Sequence, residues 1–177
     1  MPYTFSLNDL LDYTDWDRAQ WAAWFREQGP PALAIGLGAN GDGRINTIGE
    51  LVRHIFSAEK RYVERCLGLP LTDTSTIPAS DVEALFAFGH ESRRALRELL
   101  ATFPEDRWDV PQEMKMGQRS LWVTPRKMIA QAVTHELRHW AQMATLLRLE
   151  GRKTGTHDLL ASPVFDAASS ASPSGSH

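Results

Sequence analysis

The sequence predicts an all-α protein, a four-helix bundle, and three observations carry that prediction. Four stretches repeat apolar residues with helical period, recognisable caps open three of them, and the rest of the chain has no other extended strand pattern. Helices of this kind can bury their apolar stripes only on one another. With 177 residues, 42% of them apolar, the chain suffices for one domain with a real core and falls short of two.

The first helix is expected from about Ser6 to Gln28, where Ser6 and Asp9 can satisfy first-turn donors and Gly29-Pro30-Pro31 stops it. Its apolar set is Leu7, Leu10, Leu11, Trp21, Trp24 and Phe25. Thr47-Ile48-Gly49-Glu50 reads as a capping box opening the second helix. Its stripe runs through Ile48, Leu51, Val52, Ile55, Tyr62, Val63 and Cys66 to Gly68 and Pro70. Ser80-Asp81-Val82-Glu83 opens the third helix, whose Val82, Leu85, Phe86, Leu96 and Leu100 repeat before Pro104. Thr124 caps the fourth, with Pro125 in its first turn and an apolar run from Met128 to Leu147 before Gly151. Between the third and fourth helices, Met114 to Val123 around Gly117-Gln118 allows a short hairpin capping the bundle. Residues 1–165 form the expected domain; 166–177, rich in Ala, Ser, Pro and Gly, form an expected disordered tail.

Composition narrows the function. A formal net charge of -3 without a dense Lys/Arg block argues against nucleic acid as a partner. No uncharged apolar run approaches the ~20 residues of a membrane span, and the amino terminus lacks a signal-peptide pattern, so a cytoplasmic protein is expected. The single cysteine, Cys66, sits among apolar positions and reads as a packed thiol. Gly36-Leu37-Gly38-Ala39-Asn40-Gly41 matches a dinucleotide fingerprint in letters only, because no helix begins there; it reads as a loop. Trp108 and Trp122, near the hairpin, are candidates for the mouth of a pocket.

The chemistry concentrates in the histidines. His135 and His139 stand four apart in the fourth helix, about 40° apart on one face, so two imidazoles can converge on one ion. The string His135-Glu136-Leu137-Arg138-His139 also matches H-E-x-x-H, in which the glutamate serves a zinc protease as general base. A third ligand downstream is then required, and only Glu150, His157 and Asp158 are on offer. At about 100° per residue Glu136 falls within the apolar stripe, where a carboxylate needs a partner, and Arg18 and Arg93 are the candidates. Three roles stay open for Glu136: catalytic base, buried ion pair, or acceptor that orients a ligand histidine. His54, on the second helix, is the natural third ligand. It projects about 60° outside the apolar edge, which places the site in a cleft at the bundle surface. His90 and His157 read as exposed bystanders.

Trp16, Trp21 and Trp24, the segment Gly49 to Glu59 around His54, and Thr124-Pro125 leading to His135-Glu136-Leu137-Arg138-His139-Trp140-Ala141-Gln142 together resemble the DinB/YfiT-like metalloenzymes. The resemblance spans roughly Leu7 to Leu160 and implies an up-down-down-up bundle with metal ligands at His54, His135 and His139. It implies a divalent ion, zinc or nickel, completed by water, and a homodimer. The implied activity is that of a hydrolase or a thiol-dependent transferase acting on an unidentified small-molecule substrate; a non-enzymatic stress-response bundle is the alternative. Many relatives carry a basic residue and a glycine after the last histidine. Trp140 and Ala141 stand there instead, so thiol-cofactor recognition does not transfer.

Overall fold

The computed structural model of the chain describes residues 4–40, 43 and 45–166, so the predicted tail lies, from residue 167, outside the described residues. The chain is mostly helical. Four long helices, α1 (Leu7–Gln28), α3 (Ile48–Leu67), α4 (Val82–Thr102) and α5 (Pro125–Leu149), are joined by a short α2 (Pro30–Leu33) and a two-stranded hairpin. Among the described residues no helix is long and apolar enough to cross a membrane.

Local chemistry sets the helix ends. Ser6 and Asp9 form a reciprocal capping box on α1. Thr47 caps α3 by accepting from the Glu50 amide, but Glu50 returns its bond one residue early, to the Asn46 amide at 2.7 Å. Asp81 and Thr124 cap α4 and α5. Gly29 ends α1 at a φ of 71°, and the two prolines expected only to stop that helix instead open α2. Their missing N–H groups cost nothing in a first turn and their φ is already helical. The hairpin pairs β1 (Gln112–Met116) with β2 (Arg119–Val123) antiparallel about Gly117-Gln118. Gly117 has a φ of 59°, the positive value a two-residue hairpin turn asks of its first residue.

Packing divides the core in two. One cluster gathers Trp21 and Phe25 of α1, Ile48 to Phe56 of α3, Val82 to Phe88 of α4, and Trp140 to Leu147 of α5. The other gathers Leu11, Val63 and Cys66, Leu96 and Leu99, and Met128 to Val133, with Met114 of the hairpin laid over it. Trp108 is buried in this second cluster, against Phe103, so it belongs to the core, and Trp122 is solvent-exposed on β2. Between the clusters lies a layer of four buried charges bonded to one another, Arg18 of α1, Glu59 of α3, Arg93 of α4 and Glu136 of α5. A charged layer in this position demands complete pairing, since an unpaired buried ion costs several kcal/mol or more.

Candidate metal centre

His54 stands in the second turn of α3, and His135 and His139 stand mid-way along α5, the helix against which α3 packs most extensively. The start of α3 is held by backbone. Gly49 lies so close to the 78–80 turn that a Cβ there would meet the Ala79 carbonyl oxygen at 1.9 Å. That close approach, with the Thr47 cap, fixes where His54 lies along α5.

Nε2 of His135 lies 3.1 Å from Nε2 of His54 and 3.1 Å from Nε2 of His139. All three residues are half-buried, and their ligand atoms fall within 4.8 Å of one another. Three imidazoles around one tetrahedral ion at ordinary zinc–nitrogen lengths stand about 3.3 Å apart, close to this spacing. The donor set also argues for a cation. Nδ1 of His139 lies 2.9 Å from the side-chain oxygen Oε1 of Gln142, which can only accept, so Nδ1 carries the proton and Nε2 is the atom turned to an ion. Burial, then the neighbouring His139 and His54, push His135 down to about 4, so it is neutral, the ligating form, at physiological pH. The set therefore fits a single metal ion, with one unanswered polar atom: Nδ1 of His135 is buried without a hydrogen-bond partner among the described residues.

Glu136 faces the other way, into the charged layer. Its Oε1 accepts from Arg18 Nε at 2.6 Å and Trp140 Nε1 at 3.1 Å; its Oε2 accepts from Arg18 Nη2 and Arg93 Nη2, both at 2.7 Å. Four donors fill the four lone-pair sites of a carboxylate. Burial works against its charge, but Arg18 and then Arg93 and Trp140 outweigh it and hold the carboxyl below its ordinary range. Arg18 also reaches Glu59 at 2.9 Å and the Gly89 carbonyl at 3.0 Å, and Arg93 reaches Glu59 at 3.0 Å and Thr14 at 2.8 Å. Both arginines predicted as partners of Glu136 are thus its partners. Glu59 was not among the candidates, although it lies five residues beyond His54 on α3.

His90 is exposed, as expected. His157 is not. Its ring stacks on Trp21 at 3.9 Å, its Nδ1 bonds Asp17 at 2.6 Å, and its Nε2 bonds the Thr154 carbonyl at 2.7 Å. Burial raises the Asp17 carboxyl, and His157 opposes the rise. Tyr13 donates to the His157 carbonyl and Trp24 to the Lys153 carbonyl at 2.8 Å, so residues after α5 are strapped along α1. The reading of His157 as an exposed bystander is corrected: the Asp17 carboxylate that holds it lies 140 positions away, and no local pattern announces it.

A mostly helical chain that brings three imidazoles together at bonding distance defines a class of protein able to hold a metal ion between helices. The profile of the DinB superfamily matches residues 36–143, well over half the chain and all three histidines, and the chain belongs to that superfamily. No curated protein matches it.

Proposed function

We propose that His54, His135 and His139 bind one divalent first-row ion, zinc or nickel, and that the protein is a metal-dependent hydrolase or thiol-dependent transferase of small molecules. The convergence of three Nε2 atoms at 3.1 Å, with the His139 tautomer set by Gln142, carries this reading. A divalent ion with three protein ligands supplies Lewis acidity at an open position, where the pKa of a water or thiol falls. The chain's own part is orientation. Gln142 holds the His139 ring, and the paired Glu136 is assigned to fixing α1, α3, α4 and α5 about the site rather than to moving protons. The order in which each helix meets the two core clusters supports an up-down-down-up four-helix bundle: α1 and α5 run from the second cluster to the first, α3 and α4 the reverse. A cytoplasmic homodimer is the proposed setting.

Metal analysis of untagged protein, followed by thermal melts with and without chelator, tests the centre. One equivalent of metal is expected, lost in His54→Ala and His139→Ala. Metal-free protein whose melt is indifferent to both substitutions would sink the proposal. A bound ion that stabilises the fold but exchanges no water would leave the non-enzymatic alternative.

A further inference from the structure

α3 carries one polar stripe on the flank of the histidine cluster. Glu50, His54, Ser57 and Arg61 follow at intervals of three or four residues, with Arg53 alongside, and Arg61 stands two turns, about 10 Å, beyond His54. They wall a cavity of about 290 Å³, closed on its far side by the 73–75 turn. His54 is part of the wall, so whatever fills the cavity lies beside the proposed metal centre.

The two guanidiniums are fixed by neutral acceptors rather than by direct ion pairs, although Asp73, held below its ordinary range first by Ser75, also feels the Arg61 charge. Arg53 Nη1 donates to the Ile77 carbonyl at 2.9 Å, and Arg61 Nη2 to Thr74 Oγ1 at 3.2 Å. Among the described residues neither is within ion-pair distance of a carboxylate. Each therefore holds most of its five N–H donors ready on a rigid fork. The two acids of the rim are engaged by neighbouring uncharged donors: Glu50 accepts from the Asn46 amide at 2.7 Å, and Asp73 from the Ser75 amide at 2.9 Å and its hydroxyl at 2.7 Å. Donors outnumber acceptors on this wall, and an ion at the histidines adds two positive charges beside it.

We infer that this cavity binds the carboxylate of a small organic acid, with Arg53 and Arg61 as docking groups that hold the reacting part of the substrate against the histidine centre. The inference rests on the metal-centre reading for that reacting end, and on the arginine wall alone for the anion. A monoanionic carboxylate suits the wall better than a phosphate dianion, because Glu50 and Asp73 stand at the rim.

Butyrate, butyramide and inorganic phosphate, titrated into metal-loaded and chelator-treated protein and followed by amide NMR shifts, test it. Butyrate should bind about tenfold tighter than butyramide or phosphate in loaded protein and keep a preference over butyramide after chelation. Arg61→Gln and Arg53→Gln should each weaken butyrate about tenfold with unchanged thermal melts, and Arg97→Gln, on the α1–α4 surface, should not. Equal binding of butyramide, tighter binding of phosphate, or indifference to both arginine substitutions would overturn the inference. Butyrate that binds only loaded protein and ignores Arg53 and Arg61 would sink the carboxylate site and leave the metal centre standing. Arginine-dependent butyrate binding by a protein that takes no metal would do the opposite.

Discussion

Replacing Glu136 by glutamine tests the charged layer at its most connected point. The side chain keeps its shape, but the new amide group presents N–H donors where Arg18 Nη2 and Arg93 Nη2 already donate, each now at 2.7 Å from Oε2. Two buried guanidiniums are left with Glu59, whose second oxygen Oε1 has no partner among the described residues, and the partly exposed Asp15. Breaking one partner out of a buried ion network costs about 3–5 kcal/mol, a large share of the roughly 5–15 kcal/mol that holds a domain together. For a chain of this size that is a fall in Tm of about 6–20 °C. Urea unfolding of chelated protein reads it, and a pH series adds a sign. Glu136 titrates below its ordinary value in the fold, so its contribution is present above the ordinary carboxyl pKa and is lost as pH falls through the lower folded value. The gap between wild type and Glu136→Gln should therefore narrow in acid. His135, depressed to about 4, erodes stability in both proteins as pH falls below 6.5, and somewhat more in Glu136→Gln, because the Glu136 charge opposes that depression, so the gap narrows rather than vanishes. An unchanged midpoint in Glu136→Gln, with turnover abolished on any substrate later found, would refute the structural role and restore the base.

Other expectations follow from single contacts. Gln142→Ala removes the acceptor on Nδ1 of His139 and should weaken metal binding about 10–100-fold with Gln142→Glu retaining it, measured by competition with a chromogenic chelator. Gly49→Ala drives a methyl group into the Ala79 carbonyl and should cost about 2–3 kcal/mol in chemical denaturation; a neutral substitution would show that α3 is not held there. His157→Phe keeps a ring on Trp21 but strands the buried Asp17, and should cost about 2–4 kcal/mol and speed proteolytic cleavage near Lys153. Cleavage at the wild-type rate would mean that the strap is held by Trp24 and Tyr13 alone.

Much was legible because it is local. Ser6 with Asp9, Asp81, and Thr124 followed by Pro125 place helix starts through bonds reaching three residues. The apolar stripes of α3 and α5 are buried as their period demands. The same projection put Glu136 in the core and His54 at its edge, and both stand there. The helical character, the histidine pair and the need of Glu136 for an arginine were thus determined by the sequence alone, since each follows from 3.6 residues per turn and the cost of an unpaired charge. The meeting of His54 with His135 to 3.1 Å, the choice of Glu59 as fourth member of the layer, the wall of Arg53 and Arg61, and the capture of His157 by Asp17 were decided only by tertiary structure. Each depends on how one helix slides and turns against another, and that is set by the summed packing of two clusters, with Gly49 against Ala79, rather than by any short run of residues.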